Sequence, residues 1–196
     1  MDGHKFPNCN GCSDLMDLSQ YFTSSDLAGI APEIILTITA LVVLTIEMAR
    51  IFRPGIMLSV AALGLGLAGV AIVQGGFDDK LLFGGMLYFN KFSMFFDFLY
   101  LFVGLMTLIF SQGYLERMGS KSRGEYPALI IFAIIGMMLM TRANDLVMVF
   151  LGLELLSLSL YVLVGFLRHS LYSNESGLKY LLLGAFPRAF SYLVQH

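Results

Sequence analysis

Six long apolar runs, almost free of charged residues, dominate the sequence from residue 30 onward. They cover residues 30–48, 56–73, 92–110, 126–140, 146–167 and 178–194. Most of them approach the roughly 20 residues that a helix needs to cross a membrane, and all are far longer than a typical strand. Inside lipid, a segment that satisfies its own backbone hydrogen bonds is a helix. The pattern therefore predicts an all-α, polytopic membrane helix bundle with about six transmembrane helices.

The composition supports a chain that faces lipid. Hydrophobic residues make up 57% of the sequence and charged residues only 13%, about half of the roughly 25% found in soluble domains. The net charge of −2 and the lack of a basic stripe argue against nucleic-acid binding. The apolar content excludes a disordered chain, and two cysteines are too few for a disulfide-stapled secreted domain.

The first 28 residues differ from the rest, because they are polar and acidic and contain no long apolar run. They lack the basic start and apolar core of a signal peptide and the Arg-rich character of a mitochondrial transit peptide. We expect residues 1–28 to form a polar extension on the outer (periplasmic or intermembrane) side and residues 29–196 to form the transmembrane domain. Cys9 and Cys12, with only His4 nearby, favour structural or incidental thiols, a disulfide included, over a zinc site.

The distribution of positive charge predicts which way the helices run. One set of loops carries six basic residues: Arg50, Arg53, Arg117, Lys121, Arg123 and Arg168. The opposite set carries three: Lys80, Lys91 and Arg142. Since loops on the cytoplasmic or matrix side are enriched in Lys and Arg, we expect the first set inside and the N-terminus outside.

The fifth run contains a carboxylate deep within the apolar stretch. Glu154 lies roughly 13 Å along a helix from Asp145, at about 1.5 Å per residue. A charge at that depth costs several kcal/mol in lipid, so this side chain must face a protein partner or water, or carry a proton. Ser157 and Tyr161 follow at helical spacing and extend one polar stripe. Proton transfer is the favoured role, and a structural ion pair or a helix–helix hydrogen bond is the alternative.

A basic partner for Glu154 is hard to find in this sequence. Lys179 stands at the inner edge of the sixth run, and Arg188 lies deeper beside Pro187. No apolar run has a lysine at its centre. We therefore expect the counter-charge to lie on another chain.

Two other patterns have simpler explanations. Gly64, Gly66 and Gly69 match the dinucleotide-binding pattern Gly-x-Gly-x-x-Gly, but they lie within a membrane run rather than after a strand. Close helix packing through small residues is the favoured interpretation. Asp97 lies near the outer end of the third run, where we expect it to reach water at the membrane interface.

Two stretches of the sequence resemble the antiporter-like subunits of respiratory complex I. Residues 136–158 contain Ala-Asn-Asp-Leu at 143–146 and Leu-Gly-Leu-Glu-Leu at 151–155, and residues 175–186 contain Gly-Leu-Lys-Tyr at 177–180. Together they look like subunit 2, the smallest of the three antiporter-like subunits. The resemblance covers residues 31–186, which would be the N-terminal half of that subunit.

This resemblance implies a part in NADH:ubiquinone oxidoreductase, where proton pumping is coupled to quinone reduction. In the family, the glutamate matched by Glu154 lies on the fifth helix, pairs with a lysine on the seventh and helps to gate the proton path. Lys179 matches a basic residue at the start of the sixth family helix, so both are candidate proton-path residues. The resemblance implies no cofactor or metal in this chain, with NADH, FMN, iron–sulfur clusters and quinone bound elsewhere in the complex. The implied partners are other membrane-arm subunits, a companion chain carrying the rest of subunit 2, and lipid.

The sequence also departs from the family. Family members have more than twice as many helices, and here Pro187-Arg188 and a polar end replace the usual apolar continuation. We therefore expect either a natural half of a split subunit or a truncated product. The mitochondrial inner membrane is the favoured location, with the bacterial plasma membrane as the alternative. Two other functions remain open: a subunit of a related cation/proton antiporter or membrane-bound hydrogenase, and a structural or assembly membrane subunit that does not pump.

Overall fold

Five membrane-length helices form most of the described chain. The structure, a computed structural model, describes residues 29–49, 54–75, 80–117, 125–166, 179–180 and 184. The helices are α1 (Ala31–Met48), α2 (Pro54–Gln74), α3 (Lys91–Arg117), α4 (Glu125–Arg142) and α5 (Leu146–Val164). Each is long and apolar enough to cross a membrane. The predicted helical membrane bundle is therefore confirmed, and its first five runs coincide with α1 to α5 to within a few residues at most ends.

Several predictions from the sequence concern residues outside the described part of the chain. They concern the polar extension 1–28 with Cys9 and Cys12, the loop residues Arg50, Arg53, Lys121, Arg123 and Arg168, and the tail around Pro187 and Arg188. Of the sixth run, the structure describes only residues 179, 180 and 184, all of them helical.

Local polar groups determine where two of the helices begin. Before α3, the Ser93 backbone N–H donates to Asn90 Oδ1 at 2.7 Å, and the Asn90 backbone N–H donates to Ser93 Oγ at 3.0 Å. This reciprocal pair satisfies N–H groups that the first turn leaves without helical partners. Before α5, Asp145 Oδ1 accepts from the Val147 backbone N–H at 3.2 Å. Only residues 143–145 separate α4 from α5, so these two helices lie side by side.

Helix α4 is the centre of the bundle and contacts every other helix. Of its membrane-length window, 56% is buried, against 11% for α5. The core joins the first four helices through buried residues such as Leu36, Val43, Leu65, Leu101, Leu108, Ile131, Ile134 and Met138. On the outside, Leu63, Phe95 and Phe110 are 67%, 65% and 76% exposed, as expected of a surface that faces lipid.

Glycines let two helix pairs approach closely. A Cβ on Gly152 of α5 would lie 2.9 Å from the Gly136 carbonyl oxygen of α4, and a Cβ on Gly136 would lie 2.8 Å from the Gly152 carbonyl oxygen. On α2, a Cβ on Gly64 would collide with the Thr39 side chain of α1, whereas Gly66 faces open space. The packing interpretation of the glycine pattern is therefore confirmed at Gly64.

A short hairpin between α2 and α3 is an element that the sequence did not predict. Strands β1 (Lys80–Leu82) and β2 (Leu87–Phe89) pair antiparallel, with a 3₁₀ turn at Phe83–Gly85 between them. Gly85 has a φ of +95°, which an L side chain rarely adopts. The hairpin buries Leu82, Leu87 and Phe89 against the helices, so it covers one end of the bundle. We refer to this as the hairpin end.

Candidate functional site

A buried group of three charged side chains joins three helices at the hairpin end. Glu33 lies in the first turn of α1, Asp97 in the second turn of α3, and Arg142 at the last residue of α4. Because successive helices run in opposite directions, these three positions meet at the same end of the bundle. Glu33, Asp97 and Arg142 are only 6%, 0% and 1% exposed. We call these three residues the charge cluster.

The Arg142 guanidinium is the centre of the charge cluster. Its Nε and Nη2 both donate to Asp97 Oδ2, at 3.0 and 2.6 Å. Its Nη1 lies 2.6 Å from Glu33 Oε1 and donates to the Gly29 carbonyl oxygen at 3.0 Å. The Phe89 ring of the hairpin faces the guanidinium, with its centroid 4.9 Å from Cζ. The arginine thus links α1, α3, α4 and the hairpin.

The charges in this cluster do not balance. One guanidinium faces two carboxyl groups, so three ionised side chains would leave one negative charge inside the protein. Although Glu33 Oε1 lies close to Nη1, it lacks hydrogen-bond geometry. Within the described chain, neither Glu33 Oε2 nor Asp97 Oδ1 has a hydrogen-bond partner. Buried polar groups in proteins are nearly always hydrogen-bonded, so these oxygens call for a physical explanation.

The hairpin covers the charge cluster at the hairpin end of the bundle. The Asn144 backbone N–H donates to the Met86 carbonyl oxygen at 2.9 Å, and its side-chain Nδ2 donates to the Gly85 carbonyl oxygen at 2.8 Å. The side chain of Leu82 packs against Gly29. A Cβ added to Gly29 would lie 2.9 Å from Leu82 Cδ2. These contacts hold the hairpin over the helix ends, where Glu33, Asp97 and Arg142 are buried.

The structure corrects the sequence interpretation of Asp97 and sharpens that of Arg142. Asp97 does not reach water at the interface, because it is fully buried against Arg142. Arg142 is one of the three basic residues that the sequence places in the outer loops, but it is buried. Without it, the number of basic loop residues on the two sides becomes six against two. Sequence reasoning missed the charge cluster, although the sequence contains a signal for it. On the side predicted to be outside, the ends of three apolar runs carry two acidic residues and one basic residue.

Glu154, the predicted proton-path residue, lies at a different level of the bundle. It is partly exposed in the middle of α5, about two and a half turns beyond the start of the helix. Ser157 and Tyr161 are also partly exposed, and the Ser157 hydroxyl donates to the Leu153 carbonyl oxygen at 2.6 Å. Lys179 is exposed at the start of the described part of the sixth run. Both Glu154 and Lys179 interact with neighbouring groups.

Comparison with known proteins connects this architecture to a respiratory enzyme. Residues 143–191 match the family described as "NADH:quinone oxidoreductase/Mrp antiporter, TM". The sequence is 37% identical over 179 residues to NADH-quinone oxidoreductase subunit N of Trichlorobacter lovleyi, covering 89% of this chain and 36% of that protein. The chain is thus a relative of NADH-quinone oxidoreductase subunit N.

A further relative and a solved structure agree with this result. The subunit N of Rhodospirillum rubrum is 37% identical over 177 residues, covering 84% of this chain and 34% of that protein. A chain of respiratory complex I from Thermus thermophilus, solved with bound aureothin, superposes with a TM-score of 0.65 at 26% identity, covering 81% of this chain and 34% of that one. The chain therefore spans about a third of the length of the subunit N relatives it matches.

The family match includes one of the two sites and not the other. Glu154 and Lys179 lie within the matched residues 143–191, whereas the charge cluster lies before them. Among the residues that the structure describes, no group of three or more His, Cys, Asp or Glu side chains is placed to hold a metal ion.

Proposed function

We propose that this chain is the N-terminal part of the antiporter-like subunit 2 of a proton-translocating NADH:quinone oxidoreductase. The observation that carries the proposal is the similarity to subunit N over 89% of the chain. The helical bundle provides the membrane frame, and Glu154 on α5 supplies a protonatable group within the span. On this proposal, the chain acts only as part of the complete enzyme. Electron transfer would occur elsewhere, with NADH, FMN, iron–sulfur clusters and quinone bound outside this chain.

The proposed role of Glu154 follows from its surroundings on α5. Glu154 is the carboxyl group of the proposed proton path, and it lies partly exposed in the middle of α5. Ser157 donates its own proton to the helix backbone, which leaves its oxygen as an acceptor about one turn beyond Glu154. We propose Lys179 as a second residue of the same path.

We also propose that further helices of the subunit cover α5. This helix has the highest mean hydropathy of the candidate spans, 2.3, yet only 11% of its window is buried. Leu151, Leu158 and Val162 on its surface are 51%, 52% and 54% exposed. The chain spans about a third of its relatives, so the rest of the subunit has enough chain to cover this face. That remainder would be a companion chain or a continuation of the same polypeptide, and lipid and other membrane-arm subunits would cover the other faces.

The proposed location is an energy-coupling membrane with the N-terminus outside. The five spans support a multi-pass membrane protein. The relatives named above are bacterial, which favours the bacterial plasma membrane over the mitochondrial inner membrane. Residues 1–28 would then lie on the periplasmic side, and residues 29–196 would form the membrane domain. In a mitochondrion, the same extension would face the intermembrane space.

Replacement of Glu154 tests the proposed function. In inverted vesicles containing the whole enzyme, Glu154→Gln should lower NADH-driven proton uptake several-fold while the complex still assembles. Glu47→Gln is the matched control, because it removes the same charge from the last turn of α1. If proton uptake and quinone reduction both stay at the wild-type level in Glu154→Gln, the residue is only structural.

A related antiporter subunit is the second candidate, because the family description itself includes the Mrp antiporters. The two candidates share the family site, so Glu154 does not separate them. Co-purification with NADH-oxidising, iron–sulfur subunits would support the oxidoreductase. A complex lacking them that exchanges cations for protons would support the antiporter.

A further inference from the structure

We propose that the charge cluster is a proton-holding site, in which Glu33 carries an exchangeable proton beneath the hairpin. This goes beyond the proposed function, which concerns Glu154, and it stands on the geometry of Glu33, Asp97 and Arg142 alone. The family match begins at residue 143, just after Arg142, so it assigns no role to these three residues.

The charges of the three side chains balance only if one proton is bound. The three side chains are buried together, and their ionised forms sum to one negative charge. An uncompensated charge in a protein interior is costly, and the usual response is that the group becomes neutral. Binding one proton makes the cluster neutral without moving any of its side chains.

The hydrogen bonds of Arg142 indicate which carboxyl group holds the proton. Asp97 Oδ2 accepts two hydrogen bonds from the guanidinium, an arrangement that stabilises a carboxylate. Glu33 Oε1 lies 2.6 Å from Arg142 Nη1, and within the described residues neither Glu33 oxygen has a partner that meets hydrogen-bond geometry. Asp97 therefore balances the guanidinium, and Glu33 is the group that takes the proton.

A proton on Glu33 also supplies a hydrogen-bond donor, which the site lacks. The site contains more buried acceptor oxygens than the donors of Arg142 satisfy. A protonated carboxyl group brings one O–H donor to such a site. Among the described residues, the charged groups that face Glu33 are Arg142 from α4 and Asp97 from α3. The hairpin adds the uncharged Phe89 ring beside the guanidinium.

The hairpin gives the proton a route to water. It is held to the α4–α5 corner by the two hydrogen bonds from Asn144 to Met86 and Gly85. When these bonds open, water reaches the helix ends and the proton exchanges. When they close, the cluster is again isolated from the solvent.

Infrared spectroscopy of the full chain in lipid nanodiscs tests this proposal. A protonated carboxyl group has a carbonyl stretch that is separate from the carboxylate bands and shifts in D₂O. The measurement uses a Glu154→Gln background, because Glu154 is the other carboxyl group proposed to carry a proton. At neutral pH this background should show the band, and adding Glu33→Gln should remove it. The Gln side chain has the shape of the protonated acid, so the fold should be retained. Glu47→Gln, on the same helix, is the matched control and should keep the band.

Asp97→Asn gives an independent check that leaves Glu33 in place. With one acid and one base remaining, Glu33 should ionise beside Arg142, and the band should be lost in this variant as well. In the Glu154→Gln background, a band that persists after Glu33→Gln or Asp97→Asn would overturn the proposal. So would the absence of the band from this background itself, because the charge of the cluster would then be balanced by other means, such as a bound cation. None of these measurements requires NADH or proton pumping, so failure here is distinguishable from failure of the role proposed for Glu154.

Discussion

Removal of the Arg142 guanidinium should strongly destabilise the helical bundle. The side chain is 1% exposed, donates three hydrogen bonds and lies 2.6 Å from Glu33 Oε1, so Arg142→Leu leaves the Asp97 carboxylate buried without its counter-charge. Breaking a buried ion pair from one side costs about 3–5 kcal/mol. In the double variant Arg142→Leu/Asp97→Leu, this uncompensated carboxylate is also removed. The double variant should therefore be more stable than Arg142→Leu alone, with a coupling of about 1–3 kcal/mol.

The assay is unfolding of the detergent-solubilised full chain by increasing mole fractions of SDS. The chain contains no tryptophan, so the loss of helical circular dichroism is the appropriate signal. Lys91→Leu is the control, because it removes a positive charge from an exposed position at the hairpin end and should change stability by less than about 0.5 kcal/mol. The reasoning is refuted if Arg142→Leu costs no more than this control, or if the effects of Arg142→Leu and Asp97→Leu are additive.

Two further predictions concern the α4–α5 pair and the hairpin. Gly152→Ala should destabilise the bundle by about 1–3 kcal/mol in the same SDS titration, because its Cβ would lie 2.9 Å from the Gly136 carbonyl oxygen. Gly66→Ala should not destabilise the bundle, because a Cβ on Gly66 meets no atom within 4 Å. An equal loss of stability in both variants would contradict the close-packing account. Asn144→Ala should speed hydrogen exchange of residues 80–89 roughly five-fold, since one side-chain hydrogen bond is worth about 1 kcal/mol. Unchanged exchange would show that Asn144 does not hold the hairpin.

The helices were predictable from the sequence because lipid imposes a simple rule. A span must be long and apolar, and α1 to α5 obey that rule over nearly their whole length. The hairpin was not predicted because its strands are three residues each, too short for a periodic signal. Its clearest clue is the pair Gly84-Gly85 between apolar residues, which is typical of a tight turn.

The charge cluster was harder to predict than Glu154 for a physical reason. Glu154 stands alone in the middle of an apolar run, so its depth is evident from sequence position. Glu33, Asp97 and Arg142 lie near the ends of three different runs, where charges usually face water. Only the packing of α1, α3 and α4 beneath the hairpin makes them neighbours, and no local pattern contains that information.

On the proposed function, this chain is part of a membrane-arm subunit of NADH:quinone oxidoreductase. Mass spectrometry of the complex purified from native membranes tests it most directly. The account predicts peptides from this chain in one complex with NADH-oxidising, iron–sulfur subunits, together with the remaining helices of the subunit. A chain that purifies from those membranes without any such subunit would contradict the account.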